Sequence, residues 1–112
     1  MKTILLVDDN EDFRSVVKDL YYKKNQYRFI EASNPLDALD IFYKNHAEID
    51  IVLCDYFLPV QNGTDFLEII KQNNPLIQCI LISGDEELKQ RKFSYVDKIF
   101  SKLELNELVK FL

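Results

Sequence analysis

Five polar residues follow runs of apolar ones in this chain. Asp8 and Asp9 come after Ile4-Leu5-Leu6-Val7, Asp55 after Ile49-Asp50-Ile51-Val52-Leu53-Cys54, Ser83 after Ile80-Leu81-Ile82, and Lys102 after Ile99-Phe100-Ser101. If the runs are parallel strands of one sheet, all five side chains meet at one edge. Three carboxylates there need a cation: two unit charges about 4 Å apart repel by about 4 kcal/mol at an effective dielectric near 20. Oxygen ligands with positions left for water suit Mg²⁺, with Mn²⁺ as a substitute. The hydroxyl of Ser83 and the ammonium of Lys102 suit an anion. Together the set describes a site for a metal ion and a phosphoryl group. Asp55 is the candidate nucleophile, since a carboxylate oxygen attacking phosphorus forms a mixed anhydride. Lys102 and the metal would neutralise the equatorial oxygens, Ser83 would donate a hydrogen bond to one of them, and Phe57 would offer its backbone carbonyl to the metal. Taken singly, each residue has a blander role: Asp8 and Asp9 as helix caps, Ser83 as a turn residue before Gly84, Lys102 as a solvated lysine, Phe57 as a loop aromatic. Their shared position at strand ends favours the site.

The elements that must position these residues alternate along the chain. Strands are predicted over residues 3–8, 27–32, 49–54 and 76–82, with a short fifth at Ile99-Phe100. The first helix spans Glu11 to about Lys24, with Phe13, Val16, Val17, Leu20 and Tyr21 on one face. Asn34-Pro35 starts the second, whose buried stripe is Leu36, Leu39, Phe42 and Tyr43. Thr64 caps a third, with Phe66, Leu67 and Ile70 facing inward, stopped by Asn73-Asn74-Pro75. The stretch 84–97 has few apolar residues and a charged run, so its helix is short or poorly formed. Leu105, Leu108, Val109 and Leu112 mark a last helix, which reaches Leu112 with no glycine or proline stop, the pattern expected if more chain follows. Five β–α units imply an α/β fold: one five-stranded parallel sheet, doubly wound with right-handed crossovers. Ligands of such sheets bind beyond the carboxyl ends of the strands.

The 112 residues, 47% of them apolar, suit one domain, 1–112. The net charge is −5 with acids and bases interspersed. Without a basic stripe, direct nucleic-acid binding is not expected. No apolar run approaches a membrane span, and Asp8 and Asp9 cut the first run short of a signal peptide. A cytoplasmic protein is expected. Cys54 and Cys79 lie in apolar runs and read as buried reduced thiols.

Leu5-Leu6-Val7-Asp8-Asp9, Asp55-Tyr56-Phe57-Leu58-Pro59 closed by Asn62-Gly63, Ser83-Gly84 and Lys102 occur in an order that resembles a response-regulator receiver domain of two-component signalling. The resemblance covers essentially the whole chain. It implies a flavodoxin-like sheet of strand order 2-1-3-4-5, with Asp55 as phosphoacceptor. It also implies Asp9, Asp55 and the Phe57 carbonyl as Mg²⁺ ligands, Asp8 acting largely through water, and Ser83 and Lys102 on the phosphoryl oxygens. The implied donor is a phosphohistidine on a histidine kinase or histidine phosphotransfer protein. The implied receiver of the signal is a downstream protein, and a homodimer is among the assemblies the resemblance allows. His46 falls outside the site. Three features depart from the family pattern. Leu103 stands where a cis-proline usually follows the lysine, leaving a trans or a strained cis peptide. Ile99 stands at the usual aromatic switch position, and Phe100, one step along, faces the other way. The stretch between Ser83 and Lys102 is short.

Two other functions compete with a phosphoacceptor switch. One is a phosphorylation-independent binding module on the same fold, suggested by Ile99, Leu103 and the thin fourth helix. The other is a phosphatase of the haloacid dehalogenase type, which wants a second acid two residues after its nucleophile; Asp8 is followed there by Asn10. The phosphoacceptor reading is preferred, with a stoichiometric rather than a turnover reaction and slow self-dephosphorylation. The side chains flanking that step are Phe57, bulky enough to hinder water, and Asp85.

Overall fold

A computed structural model describes residues 1–22 and 27–112. The chain runs β1 (Lys2–Val7), α1 (Glu11–Tyr22), β2 (Tyr27–Ala32), α2 (Pro35–Asn45), β3 (Ile51–Asp55), α3 (Gly63–Asn73) and β4 (Gln78–Ser83). A 3-10 turn (Glu86–Gln90), β5 (Lys98–Ser101) and α4 (Leu105–Phe111) complete it. The strands form one parallel sheet in the order β2-β1-β3-β4-β5. Four helices flank it, and the 3-10 turn stands where a further helix would lie. The predicted end of the first helix, near Lys24, lies outside the described residues.

Strands β1, β3 and β4 read as almost unbroken apolar runs because both faces of the sheet are covered. Alternate residues go to opposite layers. Leu5, Val7, Val52, Cys54 and Leu81 pack under α2 and α3 against Phe42, Phe66, Leu67 and Ile70. Ile4, Leu6, Leu53, Ile80 and Ile82 pack on the other side against Val17 and Tyr21 of α1 and Leu108 of α4. The same alternation sends Ile99 to the first layer and buried Phe100 to the second, where its ring meets Phe111 edge-on at 5.5 Å. Cys54 and Cys79 are buried free thiols, and burial pushes Cys79 up to about 12.

Several local expectations are corrected. In α2 the buried line is Pro35, Ala38 and Phe42, while Leu36 and Tyr43 are exposed. At 3.6 residues per turn those two sit roughly a third of a turn away from that line. Val16 is likewise exposed on the flank of α1. The cap of α3 is Asn62, not Thr64: Asn62 Oδ1 accepts from the Asp65 N–H at 3.0 Å and from Thr64 Oγ1 at 2.6 Å. An Asx side chain one residue before the helix satisfies a free N–H that Thr64, already inside it, cannot reach. The fourth strand begins at Gln78, because Asn74 holds Leu76 and Ile77 in a turn. The third starts at Ile51 and takes in Asp55, and Asp50 is tied laterally to Thr3. Strand β1 stops at Val7, one residue before the predicted end, and β5 extends one residue either side of the predicted pair.

One close approach depends on a glycine. A Cβ on Gly63 would lie 2.1 Å from the Asp55 carbonyl oxygen, whereas a Cβ on Gly84 would meet nothing within 4 Å. The Gly63 N–H also donates to the Tyr56 carbonyl at 2.7 Å, so α3 begins directly against the end of β3. Gly63→Ala is expected to lower unfolding free energy by about 3 kcal/mol, the upper range for overpacking. Gly84→Ala is expected to stay within about 0.5 kcal/mol. Urea denaturation of both variants checks the contrast, and equal stability would contradict it.

Candidate functional site

All strands point the same way, so their carboxyl ends share one edge, and the direction of winding reverses between β1 and β3. Asp8 and Asp9 leave the end of β1, Asp55 and Ser83 are the last residues of β3 and β4, and Lys102 follows β5. Lys102 Nζ is 3.0 Å from Asp8 Oδ2 and 3.0 Å from Asp55 Oδ2. The same ammonium lies 4.4 Å from the centre of the Phe13 ring, a cation–π distance. Asp8 is 1% and Asp55 5% exposed, while Asp9 is open to solvent. Carboxylate oxygens of the three acids lie within 4.8 Å of one another.

Hydrogen bonds orient two of these carboxylates. Asp8 Oδ1 accepts from the Asn10 N–H at 2.8 Å, and Asp55 Oδ1 from the Phe57 N–H at 3.2 Å. The second oxygens face each other across Lys102. Burial raises the Asp55 pKa, the charge of Asp8 raises it further, and Lys102 and the Phe57 N–H only partly offset them. Burial opposes the charge of Lys102, yet bonds to Asp8 and Asp55 outweigh it and its pKa is raised. One ammonium thus sits among three acids.

That balance leaves room for a divalent cation. Among the described residues the buried Asp8 Oδ2 meets only the Lys102 ammonium, at 3.0 Å, and a carboxylate oxygen has lone-pair capacity for a further partner. An all-oxygen donor set open to water on the Asp9 side fits a small hard cation. Such an ion would be held by Asp8, Asp9 and Asp55, with the Phe57 carbonyl at the adjoining loop.

Ser83 is buried at the end of β4, its Oγ accepting from the Asp85 N–H at 3.0 Å. Its carbonyl accepts from the Lys102 N–H at 2.9 Å, which ties the two loops together. Phe57 projects into solvent with its ring edge-on to Tyr56 at 4.8 Å. In the same loop Val60 has φ 71°, a left-handed conformation that costs a β-branched residue about 1–3 kcal/mol. Among the described residues no peptide is cis, so the Lys102–Leu103 bond is trans. His46 is exposed, its ring nitrogen 3.4 Å from the Tyr43 carbonyl oxygen.

Two neighbours of the acids were not singled out from the sequence as site residues. Phe13, counted there only as core, packs against Lys102. Arg14 Nη1 donates to the Asp8 carbonyl at 2.5 Å. Their positions in the first turn of the helix that follows the acids were the available signal.

The sequence profile of the family described as "Response regulator receiver domain" matches residues 4–110. Autoinducer 1 sensor kinase/phosphatase LuxN of Vibrio campbellii is 32% identical over 97 residues, covering 87% of this chain and 11% of that protein. Sporulation initiation phosphotransferase F of Bacillus subtilis is 33% identical over 85 residues, covering 76% of this chain and 66% of that protein. The chain thus spans only a small part of LuxN, and 12% of the sensor kinase CckA of Brucella abortus. Among solved structures, response regulator TrrA of Thermotoga maritima, in complex with Mg²⁺ and BeF, aligns with TM-score 0.86 at 25% identity. That alignment covers 99% of this chain and 96% of the other. The signal receiver domain of an HD domain-containing protein from Pseudomonas fluorescens aligns with TM-score 0.84 at 27% identity, covering 98% and 82%.

Electrostatics at Asp55 sets a pH dependence. Because its folded pKa is raised, the folded chain keeps a proton over a range where the unfolded chain has lost it. Metal-free stability contributed by this group is therefore lost as pH rises from the ordinary carboxylate range through the raised value. Asp55→Asn is expected to melt higher than the parent in chelator at neutral pH, by a few °C, and to converge with it in acid. Thermal melts across pH in EDTA measure this, and a variant that melts lower at neutral pH would contradict it.

Proposed function

This chain belongs to the response regulator receiver domain family, and from that membership we propose that Asp55 is its phosphoacceptor. Residues 1–112 are read as one receiver domain. The observation that carries the proposal is the Lys102 ammonium lying 3.0 Å from both Asp8 and Asp55 at the carboxyl edge of the sheet. Receiver domains bind a divalent metal, and the acidic cluster here supports Mg²⁺ on Asp9, Asp55 and the Phe57 carbonyl, with Asp8 acting largely through water. TrrA was crystallised with Mg²⁺ and BeF, which supports a small hard divalent cation at this edge, Mg²⁺ with Mn²⁺ as a substitute. When bound, that ion supplies positive charge against the phosphoryl oxygens.

The remaining chemistry belongs to the side chains. An Asp55 oxygen attacks the phosphorus of a phosphohistidine on a histidine kinase or histidine phosphotransfer protein. The P–N bond breaks, its electron pair returns to the imidazole, and an acyl phosphate remains on Asp55. Lys102 turns from the carboxylates to a phosphoryl oxygen, and the Ser83 hydroxyl, released from the Asp85 N–H, donates to another. The mixed anhydride is then hydrolysed slowly, because exposed Phe57 crowds the approach of water.

A second reading, phosphorylation-independent binding, is favoured by one local feature: a 3-10 turn between β4 and β5 with Leu88 as its one buried residue. It requires partner affinity to be unchanged by beryllofluoride.

Acetyl phosphate with Mg²⁺ is expected to add one phosphoryl mass to the parent and none to Asp55→Asn, read by intact-mass spectrometry. Equal addition to both would remove Asp55 from its role. Phe57→Asn is expected to lose the phosphoryl group about tenfold faster, a barrier change of about 1.4 kcal/mol. A time course of phosphoprotein decay measures it, and an unchanged rate would clear Phe57 of hindering water.

A further inference from the structure

We propose that Arg14 is a positioning residue for the metal-binding acids, acting on the peptide unit that joins Asp8 to Asp9. The proposal rests on the metal site described above and adds a residue to it. Arg14 lies in the first turns of α1, and its side chain is only 14% exposed. Nη1 donates to the Asp8 carbonyl at 2.5 Å while Nε donates to Glu31 Oε1 at 3.1 Å. Glu31, on β2, also pairs with Lys18 at 2.9 Å. The hydrogen bond from Lys18 is the largest cause of a lowered Glu31 pKa, so the anchor for Arg14 is a carboxylate.

The two acids are held very differently. Asp8 is fixed at its N–H by the Ala32 carbonyl at 3.1 Å, at Oδ1 by the Asn10 N–H, and at Oδ2 by the charge of Lys102. Asp9 is exposed, and its side chain has no hydrogen bond or ion pair among the described residues. What orients Asp9 is therefore its backbone, and the carbonyl held by Arg14 belongs to the peptide unit that leads into it. Letting that carbonyl rotate would swing the Asp9 side chain away from Asp55. A guanidinium suits this task because its planar fork reaches the carbonyl and Glu31 together.

Electrostatics and positioning predict opposite signs. Arg14 is a cation near a cation site, so its charge alone weakens Mg²⁺ binding, and removing it would tighten the ion. Loss of a group that orients metal ligands instead weakens binding, typically 10–100-fold. Lys18→Met is the control, because it removes an equal charge from the same helix and the same Glu31 without touching Asp8.

The test is titration calorimetry with MgCl₂ on the full chain, with melting in EDTA as a check of folding. Arg14→Met is expected to bind Mg²⁺ at least about tenfold more weakly than the parent. Lys18→Met is expected to match the parent or bind slightly more tightly. Arg14→Lys, which keeps the charge but loses the fork, is expected to recover part of the affinity, and it stands in should Arg14→Met not fold. Arg14→Met binding Mg²⁺ as well as the parent, or better, would overturn the proposal, as would an equal loss in Lys18→Met. A lowered melting point with unchanged Mg²⁺ affinity would assign Arg14 a purely structural tie and overturn it too. A parent that binds no Mg²⁺ would overturn the metal site itself, an outcome distinct from a parent that binds and a variant that binds equally.

Discussion

Like charges gathered at one sheet edge are the constraint around which this molecule is organised. Asp8 and Asp55 are nearly out of contact with solvent and share a single ammonium, Lys102. Removing two carboxylates from water is unfavourable unless they are paired, and burial leaves Asp55 harder to ionise than usual. Three acids around one ammonium leave the edge with excess negative charge, the condition that favours a divalent cation.

The fold holds that arrangement from several directions at once. Parallel strands in fixed register bring the acids to one edge. The backbone of α3 closes on β3 at Gly63, where no side chain fits, and this brings the cap Asn62 and the strained Val60 into the loop after Asp55. Val60 is almost fully exposed, so its own burial does not offset that strain. On the far side, Lys102 is bound by its N–H to the Ser83 carbonyl, and Ser101 by its N–H to Glu104. Glu104 in turn pairs with Lys89 of the 3-10 turn at 2.6 Å, linking the Ser83 and Lys102 loops without a proline after the lysine.

Position 99 carries an aliphatic side chain, and the aromatic ring next to it in sequence faces the opposite layer. Ile99 packs in the layer under α2 and α3, and Phe100 is buried in the opposite layer against Phe111. The connection between β4 and β5 contains a single 3-10 turn where the other crossovers contain helices of 11 or 12 residues. A short, thinly anchored element rearranges at lower cost than a packed helix.

Much of this was legible in the sequence. Apolar runs of strand length, alternating with helical periodicity, determine a parallel α/β sheet, since only a sheet covered on both faces buries such runs. Acids, hydroxyl and lysine just beyond those runs determine which chemistry the edge can host. Finer details depended on the folded structure. Which flank of a helix is exposed is set by its rotation against the sheet, so Leu36, Tyr43 and Val16 could not be sorted by spacing alone. The choice of Asn62 over Thr64 as cap depends on how closely α3 approaches β3. The attachment of Arg14 to the Asp8 carbonyl, and of Phe13 to Lys102, arises because α1 folds back over the loop it follows. These contacts join residues through space, and no local pattern along the chain encodes the distance between them.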